Sequence, residues 1–289
     1  MFYGRGSSNR NKKEAEKMTV PMNEMAWCPG CGNFLIAPVV EDSLKELGIA
    51  PKDAVIACGI GQAAKLPHYL DINYFNGLHG RSLPLAVGIK LARPELKVIA
   101  VSGDGCMYGE GGNHFLHTIR KNLDITILVH DNQVYALTKG QCSPTTEQGI
   151  KHPLAPQGNP SHPLSPLSLA INIGAPFVAR GFAGDKEHLK LIIKEAISFK
   201  GTAVVDILQP CVSFNKINTF QWYKERVKKL EAPLTDRYAA MQKAEEWGAE
   251  IPIGVIYKNE ELIAREIRTL FKKEVKKDSI LALLAKDHK

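Results

Sequence analysis

The chain has 289 residues, 44% hydrophobic and 23% charged. That is enough for one elaborated α/β domain with its own core, and it excludes a disordered, fibrous or disulfide-dependent chain. Its 37 Lys and Arg against 30 Asp and Glu leave a charge of +7, which suits a phosphate cofactor or an acidic partner. The basic residues are dispersed, however, so no nucleic-acid partner is expected. No apolar run approaches the roughly 20 residues of a bilayer span, and the polar start MFYGRGSSNRNKKEAEK has no secretory apolar segment. No membrane association and a cytoplasmic location are therefore expected.

In chain order, residues 1–20 form an N-terminal extension expected to be flexible. Apolar, β-branched runs follow at Ala54 to Ala57, Val98 to Val101, Ile125 to Val129, Phe177 to Ala179 and Ala203 to Leu208, each a short buried strand. Helical spacing lies between them at Leu83 to Leu91, Asn113 to Arg120 and Asp185 to Phe199. The alternation predicts an α/β fold with a doubly wound, mostly parallel sheet covered by helices on both faces over residues 21–215. Residues 138–168 carry six prolines and read as a long ordered loop, the kind that is usually functional. Residues 216–289 are rich in Lys and Glu and read as a peripheral C-terminal helical extension; Lys272, Lys273, Lys276 and Lys277, interrupted by Glu274, read as a solvated helix face.

Two motifs fall at predicted strand ends. One strand runs into Gly103-Asp104-Gly105 and the next into His130-Asp131-Asn132. Ligands bind at the C-terminal ends of strands in doubly wound sheets. Glycines let backbone approach a phosphate, and a carboxylate with an amide oxygen suits Mg²⁺. The pair suggests a metal–diphosphate site.

Six cysteines in a chain without an export signal point away from structural disulfides. Cys28 and Cys31 sit within Cys28-Pro29-Gly30-Cys31, a spacing that suits an iron–sulfur cluster or zinc.

The motif pair resembles the signature of thiamine-diphosphate enzymes. The ordered set Trp27 to Asn33, Gly59-Ile60-Gly61, Lys65-Leu66-Pro67-His68, Leu78-His79-Gly80-Arg81, Gly103-Asp104-Gly105, Gly111 to His114, Tyr135 to Gln141 and Ser143-Pro144-Thr145-Thr146 resembles the β subunit of 2-oxoacid:ferredoxin oxidoreductases, of the 2-oxoglutarate type. The resemblance implies thiamine diphosphate with Mg²⁺ held by Asp104, Asn132 and the carbonyl of Val134. It implies cofactor contacts from Gly59, Ile60, His79, Gly103, Gly105, Cys106, Ala136 and Leu137. Cys106 is expected to pack rather than react.

It also implies one 4Fe-4S cluster on Cys28, Cys31, Cys58 and Cys211. In many relatives the third ligand follows the Gly-Ile-Gly turn, where this chain has Gln62, so Cys58 is assigned instead. Lys65 and His79 take catalytic roles, and Lys65, Leu137 and Lys139 meet substrate. For Lys65 the competing reading is a surface lysine, and for His79 a satisfied buried histidine. The implied reaction is CoA-dependent oxidative decarboxylation of 2-oxoglutarate, or its reverse, reductive carboxylation of succinyl-CoA with CO₂. Electrons pass to an external, acidic ferredoxin. The glutamate that activates the aminopyrimidine has no place here, so an α subunit should supply it in an αβ or (αβ)₂ assembly. The alternatives are a pyruvate enzyme, a non-redox thiamine enzyme subunit and a zinc-stabilised binding module.

Overall fold

The computed structural model describes residues 21–152, 154–262 and 264. The expectations for residues 1–20 and for the lysine run near 272–277 lie outside the described residues. Eight strands, β1 Ala54–Cys58, β2 Asn73–Asn76, β3 Lys97–Gly103, β4 Ile125–Asp131, β5 Phe177–Phe182, β6 Ala203–Leu208, β7 Val227–Lys229 and β8 Ile251–Lys258, form one sheet in the order β2-β1-β3-β4-β6-β5-β8-β7. The six strands from β2 to β5 run parallel. All residues of β1, β4, β5 and β6 are buried, as continuous apolar runs between two helical layers must be.

Seven α-helices are described: α1 Asn33–Glu46, α2 Ser82–Ala92, α3 Gly112–Lys121, α4 Pro166–Asn172, α5 Lys186–Ser198, α6 Phe220–Arg226 and α7 Arg237–Glu245. Helices α1 and α5 cover one face, where Ile36, Val40, Leu189 and Ile193 pack on Ile56, Ile99 and Val205. Helices α2, α3, α4 and α7 cover the other, where Leu83, Phe115, Leu167 and Ala240 pack on Ala57, Ile127 and Val204. The core thus consists of two apolar layers, and the side-chain period of two sends alternate residues of each strand into each. Among the described residues no helix is long and apolar enough to cross a membrane.

The C-terminal segment departs from its helical expectation. Helices α6 and α7 are present, but β8 joins the sheet, antiparallel to β5, with Phe177 opposite Lys258 and Arg180 opposite Gly254. The reason is local: Ile251, Ile253 and Ile256 are buried, an apolar β-branched set enclosed in a Lys- and Glu-rich stretch whose bulk composition hides it.

The sheet ends before the functional loops begin. Strand β3 stops at Gly103 and passes through Asp104 into a π-helical turn, Gly105–Glu110, a local irregularity frequent at functional sites. Strand β4 stops at Asp131, where two successive Asx turns bend the chain: Gln133 N–H donates to Asp131 Oδ1 at 3.0 Å and Val134 N–H to Asn132 Oδ1 at 3.0 Å. Gln133 takes a left-handed φ of 58° to make this bend.

Candidate active site

The turns after β1, β3 and β4 converge. Gly59 N–H donates to Ser102 Oγ at 3.2 Å, tying the turn after β1 to β3, and Gly80 N–H, in the loop after β2, donates to Cys106 Sγ at 3.1 Å. A Cβ on Gly59 would meet Cys106 Sγ at 2.5 Å, and one on Gly105 would meet the Tyr135 ring at 2.3 Å. Both positions therefore require glycine, and Cys106 is a packed, buried thiol. Ile60, next to Gly59, is exposed. The His79 Nδ1 lies 3.1 Å from Glu110 Oε2, and its ring faces Tyr135 with centroids 6.2 Å apart.

Asp104 is 1% exposed. Its carboxylate accepts from the hydroxyls of Ser143 and Thr145 and from the backbone N–H groups of Gly105 and Asn132, while burial pushes its pKa up. Thr145 Oγ1 lies 2.8 Å from both Asp104 Oδ2 and Asp131 Oδ1, bridging the two strand ends. The long loop therefore closes over the strand ends, and Thr146 anchors it by donating to the Gln133 carbonyl at 2.6 Å. Val134 is buried just beyond the Asx turns.

Behind these lies Asp206 of β6, which accepts from Tyr108 Oη at 2.6 Å. Burial pushes its pKa up to about 6, and burial with the charges of Asp206 and Asp104 raises Asp131 well above the usual carboxylate range. Arg180 is the buried cation facing Asp131 and Asp206; its guanidinium donates to the carbonyls of Ala244 at 2.6 Å and Pro252 at 3.2 Å. Sequence reasoning missed Asp206, Arg180 and Thr145 as site residues. Asp206 and Arg180 occupy interior strand positions, where alternation alone predicts apolar side chains, so each charge was itself the signal. Arg180→Met should leave those carboxyls unpaired and cost about 3 to 5 kcal/mol of stability. Thermal unfolding of the cofactor-free protein checks this, and an unchanged Tm would show that the carboxyls carry no charge there.

The arrangement fits a Mg²⁺–diphosphate unit. Burial penalises the charged form of Asp104, Asp131 and Asp206, and the Arg180 guanidinium faces only the last two, so a divalent cation at Asp104 would favour its carboxylate. Asn132 Oδ1 accepts one backbone hydrogen bond and keeps a second lone pair.

The neighbouring cavity, of about 230 Å³, is lined by Cys28, Cys31, Gln62, Asn132, Ala136, Leu137, Lys139, Gln209 and Cys211, with Asn33 and Val212 to Phe214 completing the wall. It brings the Asn132 to Lys139 segment beside three of the four expected cluster thiols. Cys31 is electrostatically adjacent to both Cys28 and Cys211, and burial, helped by those two thiols, pushes its pKa up to about 11. Two N–H donors reach sulfur: Gln209 Nε2 to Cys31 at 3.4 Å, and Phe214 N to Cys211 at 3.5 Å. Such donors are the common surroundings of iron–sulfur thiolates. Among the described residues no group of three or more His, Cys, Asp or Glu side chains is arranged to hold a single metal ion. The thiols surround a cavity instead, which fits a cluster.

The structure does not bring Cys58 to that cavity. It ends β1, its Sγ lies 3.6 Å from the Phe75 carbonyl, and burial, with Cys106 beside it, pushes its pKa up to about 12. Nor does it bring the two lysines together. Lys139 lines the cavity, whereas Lys65 Nζ donates to the Ala26 carbonyl at 3.3 Å from the 3-10 helix Ala63–Tyr69. Lys139 holds a left-handed φ of 85°, stabilised by the bridge between Tyr135 and Gln141. A non-glycine residue at such a φ is costly and is often found at ligand sites.

Residues 55–207 match the family described as thiamine pyrophosphate enzyme, C-terminal TPP binding domain, and residues 211–269 match the family of the C-terminal part of the pyruvate ferredoxin oxidoreductase beta chain. The chain is 46% identical over 246 residues to 2-oxoacid:ferredoxin oxidoreductase 1, subunit beta, of Aeropyrum pernix, covering 81% of this chain and 77% of that one. It belongs to the β subunits of the 2-oxoacid:ferredoxin oxidoreductases. A 2-oxoglutarate synthase subunit KorB of Archaeoglobus fulgidus is 37% identical, over 70% of this chain and 76% of its own. The β-subunit fold recurs in the 2-oxoglutarate:ferredoxin oxidoreductase of Magnetococcus marinus, solved with 2-oxoglutarate, coenzyme A and succinyl-CoA bound. That match has a TM-score of 0.80 at 35% identity and covers 94% of this chain and 89% of the solved one. The sheet described above is therefore the thiamine-diphosphate-binding fold.

Proposed function

We propose that this protein binds thiamine diphosphate, Mg²⁺ and an iron–sulfur cluster, and that with an α subunit it catalyses CoA-dependent oxidative decarboxylation of 2-oxoglutarate, or the reverse carboxylation of succinyl-CoA, passing electrons to ferredoxin. One observation carries the reading: a single cavity wall holds Asn132, Ala136, Leu137 and Lys139 together with Cys28, Cys31 and Cys211. On this reading the cofactor end and the electron-acceptor end are contiguous within one chain. The relatives named for 2-oxoglutarate support the choice of substrate.

Thiamine diphosphate, when bound, supplies the carbanion chemistry. Asp104 and Asn132, with the Val134 carbonyl, would hold the Mg²⁺ that neutralises the diphosphate. Gly59, Gly103 and Gly105 keep backbone close to it, with Ile60, Ala136 and Leu137 as apolar walls. The Thr145 hydroxyl, within hydrogen-bond distance of both Asp104 and Asp131, fixes the rotamers of the two carboxyls. His79, oriented by Glu110, is positioned to donate to the phosphates, and Lys65 and Lys139 are the cations for substrate carboxylates. The α subunit supplies the carboxylate for the aminopyrimidine in an αβ or (αβ)₂ cytoplasmic assembly, so the β subunit alone should be inactive.

The test is purification of the αβ complex without oxygen, followed by iron, zinc and thiamine analysis and an assay of ferredoxin reduction that requires both 2-oxoglutarate and coenzyme A. Thiamine without iron would favour a non-redox enzyme, and zinc without thiamine a binding module.

A further inference from the structure

Gln62 occupies the N-terminal turn of the 3-10 helix Ala63–Tyr69, and its backbone carbonyl accepts from Trp27 Nε1 at 2.8 Å. Trp27 precedes Cys28, so this bond pins Gln62 to the segment that presents Cys28 and Cys31. Gln62 lines the same cavity as Cys28, Cys31 and Cys211. The Gln62 Oε1 atom is fully buried and has no hydrogen-bond partner among the described residues. An orphaned buried carbonyl oxygen costs stability unless something at the site accepts its lone pairs. Among the described residues of that wall, the other groups that call for an electrophile are the three thiols. Cys58 is held elsewhere, against the Phe75 carbonyl and Cys106.

We propose that this chain holds its 4Fe-4S cluster through three thiolates, Cys28, Cys31 and Cys211, with the fourth iron facing the Gln62 amide oxygen in place of a sulfur ligand. The inference rests on the functional reading above and assigns the fourth corner of that same site. Two properties follow. An amide oxygen is neutral where a thiolate is anionic, so the cluster carries one less negative charge and is easier to reduce. It is also a hard donor on an iron that prefers sulfur, so that iron is the first to leave on oxidation.

The experiment uses the αβ complex isolated without oxygen, as wild type, Gln62→Cys and Cys58→Ala. Each is treated with ferricyanide and followed by iron analysis and EPR, and its midpoint potential is measured. Wild type should release one iron per cluster and develop the EPR signal of an oxidised 3Fe-4S centre. Gln62→Cys should keep all its iron under the same treatment and show a lower potential. Cys58→Ala should behave as wild type. Loss of the cluster in Cys58→Ala, with wild type keeping all its iron, would overturn the assignment in favour of Cys58. If Cys58→Ala fails to fold, wild type and Gln62→Cys decide alone, and equal resistance to oxidation refutes the proposal. Wild-type complex containing no iron would instead refute the functional reading along with it.

Discussion

Asp104→Asn should weaken thiamine diphosphate binding to the assembled complex by about 3 to 5 kcal/mol, roughly 100-fold or more in Kd, while leaving the fold intact. The substitution keeps shape and most of the acceptor capacity toward Gly105, Asn132, Ser143 and Thr145, so secondary structure and assembly should survive. What it removes is the anionic ligand, and Asn132 with the Val134 carbonyl offers only neutral oxygens. Titration calorimetry with Mg²⁺ present measures the effect, and wild-type affinity in the variant would remove Asp104 from the metal site. The pH dependence has a definite sign. Burial raises Asp104, Asp131 and Asp206 above the ordinary carboxylate range, to about 6 for Asp206. Their stabilisation of the cofactor-free fold is present in acid and is lost as pH rises through the raised values. Cofactor-free protein should therefore lose Tm between about pH 4 and pH 6, and Mg²⁺ with thiamine diphosphate should cancel that loss.

The framework was legible because a strand buried on both faces announces itself. The apolar runs in β1, β4, β5 and β6 match the sheet within a residue or a few at each end, and Gly103-Asp104-Gly105 was placeable because a strand ran directly into it. Other features were hidden by scale. The apolar run of β8 lies within a charged segment, and α1, with Pro38 inside it, follows the Cys28 to Gly32 loop; proline ordinarily argues against a helix. Within the site, sequence order cannot say which way the chain leaves β1. Cys58 and Gln62 are four residues apart, yet the turn through Gly59-Ile60-Gly61, with Gly61 at φ 115°, sends one toward Cys106 and the other toward the three thiols. Proximity along the chain was a poor guide there, because a strand end and the first turn of the helix that follows it face different layers. Buried charge was the opposite case. Asp206 and Arg180 were visible in the sequence, but their partners come from different strands, and only the sheet order brings them together.

Lys139 carries the largest expected effect on substrate choice. A 2-oxoglutarate site must neutralise two carboxylates, since burying either unpaired is costly. In the chain by itself Lys139 is exposed, on the wall of the cavity it shares with Asn132 and Leu137, and an α subunit seated over that opening would strengthen its charge by excluding water. Lys65, oriented toward the Ala26 carbonyl, is left as the candidate for the carboxylate next to the reacting carbonyl. Lys139→Ala should then lower kcat/KM for 2-oxoglutarate by about 2 to 5 kcal/mol more than for pyruvate, roughly 30-fold to several thousand-fold, because pyruvate has no distal charge to leave unpaired. Lys139→Gly separates charge from backbone, because it also releases the left-handed φ. It should lose the same discrimination, and loop strain should contribute nothing further to the ratio. Steady-state kinetics of the αβ complex with both substrates checks this, and an equal loss for each would show that Lys139 does not read the distal carboxylate.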